Sequence, residues 1–439
     1  MIIPAEFKQR RERLMANMKP NSVAIIAAAP ERVRNNDAEY PYRQDSSFWY
    51  LTGFPEPEAV AVFVPEKEGG TFILFCRERD RAMEIWNGYR AGPNGAMADY
   101  GADEAYPISR LESLLPELLA NKSSVYVDLG LRTEVDAWVH GAVQALAPRA
   151  RQGVTRPTEF VSLAHLVHNM RLRKSAAELA LMRESAHIAA LAHKRAMRTV
   201  KPGLWEYQLE AEYLHEFMRH GARSPAYTTI VGGGANGCIL HYVENDQRLK
   251  DGDLVLVDAG CEYEHYASDI TRTFPVNGRF SKEQQALYEL VLAAQLAAID
   301  AVRVGNPYHQ GHHTAIRVLT EGLRDLGLLV GELDELIEEQ AYTDFYMHGT
   351  GHWLGIDVHD VGDYLVDGVS RPLEENMVLT VEPGIYVAPD NVNVDERWRG
   401  IGIRIEDDVI VTANGPEVIT AEVPKSVADI EALMAGKTA

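Results

Sequence analysis

Leu254-Val255-Leu256-Val257-Asp258-Ala259-Gly260-Cys261-Glu262-Tyr263-Glu264-His265-Tyr266-Ala267-Ser268-Asp269-Ile270-Thr271-Arg272-Thr273-Phe274 is two strand-like runs, each bordered by an aspartate, joined by a short polar link. An antiparallel hairpin folded about Tyr263 and Glu264 pairs the runs and sets Asp258 and Asp269 opposite each other on one face. Like charges so placed repel, so a hairpin carrying that pair calls for a cation between them.

Further acids and one histidine extend the set. His352 lies in His348-Gly349-Thr350-Gly351-His352, where two glycines argue against a helix and leave the backbone close to whatever the histidines touch. Glu382 precedes Pro383-Gly384, a turn pair that stops a strand and fixes the direction of the side chain before it. Gly400 to Glu406 alternates strictly and reads as a strand with Arg404 and Glu406 on one face. Asp258, Asp269, His352, Glu382 and Glu406 thus offer four carboxylates and one imidazole. Such an oxygen-rich set suits a hard or borderline ion such as Mn²⁺, and four carboxylates are enough to bridge two ions.

With 439 residues and 46% hydrophobic content, the chain is long enough for two or three domains with a sizeable core. A net charge of −21 argues against a nucleic-acid partner, for which a basic face is expected. Three cysteines, none in C-x-x-C spacing, exclude a disulfide framework and a zinc ribbon. No stretch approaches a membrane span, and Met1 to Lys8 lacks the basic and apolar regions of a leader, so the expected address is cytoplasmic with no membrane partner.

Ser22 to Ala29, Ala59 to Pro65, Thr71 to Phe75 and Ser124 to Asp128 are short apolar runs of strand length, interleaved with helical patterns at Leu111 to Asn121 and Glu134 to Leu146. Residues 1–173 therefore read as an α/β domain. A boundary follows, because Ser175 and Glu178 form a capping-box pattern opening a long helix that Pro202-Gly203 closes. Trp205 to His220 is a second helix, Ser281 with Gln284 caps a third, and His309 to Leu326 is a fourth. Residues 174–439 thus hold two blocks of paired helices followed by strands, an internal duplication of architecture.

Other features have plainer readings. Gly232-Gly233-Gly234-Ala235-Asn236-Gly237 leads into Cys238 to Tyr242, read as a strand, so it is a close-approach loop and not a phosphate cradle. His312 and His313 face solvent or packing; Glu206, Glu210 and Glu212 form an exposed helix face; Cys238 and Cys261 are packing residues.

The motifs Val257-Asp258-Ala259-Gly260, Ser268 to Phe274, His348 to Gly355, Thr380 to Gly384 and Arg404 to Asp407 resemble those of the pita-bread metallopeptidase family, M24. All five family metal positions are filled, in the family's order. Tyr40 to Phe54 is similar to the amino-terminal domain of the aminopeptidase P branch, so the resemblance covers nearly the whole chain. It implies an α/β amino-terminal domain followed by an α+β pita-bread (creatinase/aminopeptidase) catalytic domain. The implied reaction is release of the first residue from peptides with proline second.

By that resemblance two divalent ions, Mn²⁺ in the first instance, share a water and lower its pKa. Asp269 and Glu406 bridge the ions, His352 and Glu382 complete one site, and Asp258 completes the other. Glu382 is also the candidate to accept the water's proton. His359 matches the histidine at the developing oxyanion, His241 one lining the substrate side, His348 one near the proline end, and Arg404 supports a ligating carboxylate. Tyr227, Tyr386 and Trp86 match aromatic walls for the proline ring, with Trp86 reaching a neighbouring subunit's site and Asp37 acting towards the substrate amine. A homo-oligomer follows, a tetramer built as a dimer of dimers. The competing readings are a proline dipeptidase, which shares all five ligands, and a pita-bread module without metals that binds partners or hydrolyses creatine, which the intact ligand set opposes.

Overall fold

The computed structural model describes residues 2–65 and 70–436. Backbone contacts divide the chain into two compact units, one spanning Ile2–Arg171 and the other beginning at Leu172. Among the described residues, no helix is long and apolar enough to cross a membrane.

The first unit is built on a six-stranded mixed sheet. Its Ser22–Ala27 strand pairs antiparallel with Val60–Val64 and parallel with Ser124–Tyr126, which puts this apolar run at the centre of the sheet. Leu111, Leu115, Val135 and Val139, on the helices Leu111–Leu119 and Thr133–Leu146, pack against Val23, Ile25 and Val62. Continuous apolar strands and one-sided helices are what such a layered arrangement requires.

The second unit repeats one theme. Ala176–Thr199 packs with Glu206–Arg219, and Lys282–Asp300 packs with Gln310–Asp325. Both long helices open with the reciprocal capping box read from Ser175/Glu178 and Ser281/Gln284. The first helix pair is followed by the three-stranded sheet of Ile230–Gly233, Leu254–Asp258 and Thr271–Pro275, and the second by Val378–Val381, Asp407–Thr412 and Gly415–Val418. One apolar core, including Met197, Phe217, Phe274, Val291, Leu319 and Ile385, joins these helices and strands.

Three local readings need correction. The hairpin of the opening stretch turns at Glu264 and His265, both with positive φ, and pairs Asp258 with Thr271. Asp269 is thus two residues from the expected register. Because side chains alternate with period two, that shift keeps both aspartates on the same face. The run from Gly400 to Glu406 is not one strand: Ile401–Arg404 pairs with Gly384–Val387, and the chain then crosses to pair Asp407 with Val381. The break mirrors Pro383 on the partner, which has no N–H for a ladder. Finally, Cys238 to Tyr242 is not a strand; a 3₁₀ turn, Gly234–Cys238, leads into a loop held by side-chain hydrogen bonds.

Candidate metal centre

Asp258 ends its strand, and the next turn brings Asp269 back beside it. Gly260 is what allows this, because a Cβ there would lie 1.7 Å from the Ser268 carbonyl oxygen. On the other side, the loop with His348 and His352 runs along Val378–Val381: the Thr380 amide donates to the His352 carbonyl at 2.9 Å, and the Glu382 amide to Thr350 at 2.8 Å. Gly351 is required for that contact, since a Cβ would meet the Thr380 carbonyl at 2.0 Å. Glu382 follows the end of this strand, and Glu406 occupies the crossover, with its amide on the Thr271 carbonyl at 3.0 Å.

All five predicted ligand residues line one cavity of about 600 Å³, together with His241, His348, His359, Arg404 and Tyr227. Asp269, His352 and Glu406 each present a ligand atom within 4.8 Å of the others, the only such group among the described residues. His352 Nε2 stands 3.4 Å from Asp269 Oδ2 and 3.6 Å from Glu382 Oε1. Its Nδ1 lies 3.0 Å from the Trp353 carbonyl, which can only accept, so Nδ1 carries a proton and Nε2 is directed at the acids. The Tyr227 hydroxyl is 2.6 Å from Asp258 and 2.5 Å from Asp269, one proton between two carboxylates. Tyr227 therefore contributes its hydroxyl to the acid cluster, beyond the aromatic wall expected of it.

The electrostatics are those of crowded buried acids, with the Arg404 guanidinium paired to Asp258. Burial, and then neighbouring carboxylates, push Asp269 up and Glu406 well above the usual range. Burial lifts Glu382 to about 7. Asp258 moves the other way: burial raises it, but Arg404, whose guanidinium donates to Oδ2 at 2.6 Å, and Tyr227 outweigh that. His352 rises to about 9, because Asp269 and Glu382 overcome the opposing effect of burial. A divalent cation relieves this repulsion, and the oxygen-rich donor set with one imidazole nitrogen fits such an ion.

The flanking residues are ordered by the same network. Arg404 also donates to the Tyr386 hydroxyl at 3.0 Å, and that hydroxyl lies 2.8 Å from His348 Nε2. Tyr386 is buried behind the cavity wall and does not line it, in contrast to the expected aromatic wall. His359 packs edge-on against His352 at 4.3 Å between ring centroids, and burial followed by His352 lowers its pKa. The next residue, Asp360, forms a buried ion pair with Lys174 at 3.0 Å. Asp37 and Trp86 belong to the first unit, Asp37 on an exposed hairpin turn and Trp86 84% exposed on the helix Arg81–Asn87.

Several supporting residues were missed in the sequence. Thr271 donates to Glu406 at 2.7 Å. Asp408 accepts the Asp269 amide at 3.1 Å. Arg272, fully buried, grips Asp407 at 2.7 Å and the Glu406 carbonyl at 2.5 Å. An arginine inside an apolar strand and three acids in a row at 406–408 were the available signals. His312 is not merely packing, since its Nδ1 lies 2.8 Å from Thr350 Oγ1 in the histidine loop. Glu206, read as exposed, is fully buried, while Glu210 and Glu212 are partly buried and bound to Asn245 and Arg195.

The model of metallopeptidase family M24 matches residues 180–413, and that of the aminopeptidase P N-terminal domain matches 7–126. The Xaa-Pro aminopeptidase of Escherichia coli K12 is 49% identical over 98% of this chain and 97% of its own length. The aminopeptidase PepP of Pseudomonas aeruginosa superposes with a TM-score of 0.98 at 56% identity, covering 99% of this chain and 98% of that one. A zinc-substituted E. coli aminopeptidase P in complex with product gives 0.96 at 48%, covering 100% and 99%.

Proposed function

The chain belongs to metallopeptidase family M24, and from that premise we propose that it is an Xaa-Pro aminopeptidase, releasing the first residue of peptides whose second residue is proline. The observation that carries this is the convergence of Asp258, Asp269, His352, Glu382 and Glu406 in one cavity of a chain that also has an aminopeptidase P N-terminal domain. Family membership implies divalent metal ions. The finer reading is a dinuclear Mn²⁺ centre that Asp258, Asp269, His352, Glu382 and Glu406 would hold.

Bound there, the ions supply Lewis acidity and lower the pKa of water. Glu382, in the cavity 3.6 Å from His352 Nε2, would take up the proton of the attacking water and later yield it to the leaving proline nitrogen. His359, edge-on to His352 in the cavity, would offer an N–H towards the oxyanion. Arg404 holds Asp258, and Tyr386 holds His348 beside the position of the proline ring. His241 and Tyr227 line the same cavity. Because an imide nitrogen has no N–H, the site selects ring shape and not a donor.

The same reading assigns the chain to the cytoplasm and to a homotetramer, a dimer of dimers, with folding units 1–173 and 174–439. Ile85, Trp86 and Tyr89, between 75% and 90% exposed on one short segment, support a subunit contact through which Trp86 and Asp37 reach a neighbouring site. Hydrolysis of a free Xaa-Pro dipeptide and of longer Xaa-Pro peptides, with Mn²⁺ and then with chelator, tests the proposal. Metal-dependent release of the first residue from the longer peptides is expected. Cleavage of the dipeptide alone would reassign the chain as a proline dipeptidase.

A further inference from the structure

Glu206, the first residue of the helix Glu206–Arg219, is a fully buried acid outside the metal centre, and no ion pair reaches it among the described residues. Four neutral donors surround its carboxylate. The Gly233 amide at 2.8 Å and Asn236 Nδ2 at 3.0 Å share Oε1, while the Tyr242 hydroxyl at 2.8 Å and the Gln247 amide at 2.9 Å share Oε2. The donors come from both ends and the middle of residues 233–247, which run from the end of the Ile230–Gly233 strand through the irregular loop that includes the residues expected to form a strand. His241 stands on that loop, exposed towards the cavity, next to Tyr242, whose ring is buried with Tyr386 and Leu256. A carboxylate with four donors has every lone pair occupied, so it fixes the loop's shape more tightly than an amide or hydroxyl could.

We infer that Glu206 is a positioning residue, which acts on the reaction through Tyr242 by presenting His241 to the substrate. The inference rests on the reading of His241 as part of the substrate wall. In Glu206→Gln an amide N–H must face two donors, so at least one clamp contact is lost, and Tyr242→Phe removes a single donor while leaving the ring in place.

Kinetics of the Mn²⁺-loaded wild type, Glu206→Gln, His241→Ala and the double variant on an Xaa-Pro tripeptide test it, with Tyr242→Phe as substitute should Glu206→Gln not fold. Glu206→Gln should lower kcat/KM by about tenfold to a hundredfold with metal content unchanged, and should add nothing to His241→Ala. Multiplying losses in the double variant, or wild-type activity in Glu206→Gln, would overturn the inference. Hydrogen exchange over residues 233–247 gives a reading independent of any substrate. Faster exchange confined to that loop is expected even if wild type fails to cleave the tripeptide, a failure that would count only against the proposed activity. Unchanged exchange there would overturn the clamp.

Discussion

In the proposed mechanism Glu382 would combine two demands in one side chain, ligation and acceptance of the water's proton. Glu382→Gln keeps the shape and removes the proton acceptor, so kcat should fall by a factor of about 10² to 10⁴; retention of kcat would refute the assignment. Linkage supplies a second expectation. Asp269, Glu382 and Glu406 hold protons more tightly in the folded, metal-free protein than in the unfolded chain, chiefly because they are buried. From the ordinary carboxylate range up to about 7 the folded state binds more protons, so metal-free stability falls as pH rises through that window. His352, raised to about 9, contributes stability below the ordinary imidazole value and loses it as pH climbs through about 9. Asp258 has the opposite sign, but its window lies below the usual aspartate range. Metal binding displaces these protons, so the rise in Tm produced by Mn²⁺ should be larger at about pH 8 than at about pH 5.5. An equal rise at both, by calorimetry, would contradict the crowded-acid account.

The hairpin of 254–275 and the crossover at Glu406 depend on close backbone contacts and a buried charge network. Gly260→Ala would force a Cβ onto the Ser268 carbonyl, one residue before Asp269. It should cost about 3 kcal/mol and reduce metal content together, because the same movement displaces Asp269, a ligand in the proposed centre. Normal metal content in a destabilised Gly260→Ala protein would separate the two effects and refute the coupling. Arg272→Met leaves Asp407 buried with Lys425, at 2.6 Å, as its remaining cationic partner. A loss of about 3 kcal/mol in chemical unfolding is expected, since charged hydrogen bonds to Asp407 and to the Glu406 carbonyl vanish together. A loss below about 1 kcal/mol would show that the network serves geometry more than stability.

The two units divide the labour, with every residue lining the metal cavity drawn from the second. Trp86→Ala should therefore leave metal content intact while weakening the proposed assembly, as read by sedimentation; loss of metal would contradict that division. Much of this was legible beforehand. Capping boxes, continuous apolar strands and the five ligand motifs are local patterns, and local patterns are what hydrogen bonding and burial impose within a helix turn or a strand. From the chain alone came the order of elements, the acidic donor set with one imidazole and the family resemblance. Folding in three dimensions settled what depends on distant partners. The hairpin register moved by two residues, Tyr386 withdrew behind His348, Tyr227 turned its hydroxyl to the acids, and Glu206 became the most enclosed acid of its helix. Each outcome turns on which donor or apolar surface, many residues away, meets the side chain, and periodicity carries no record of that.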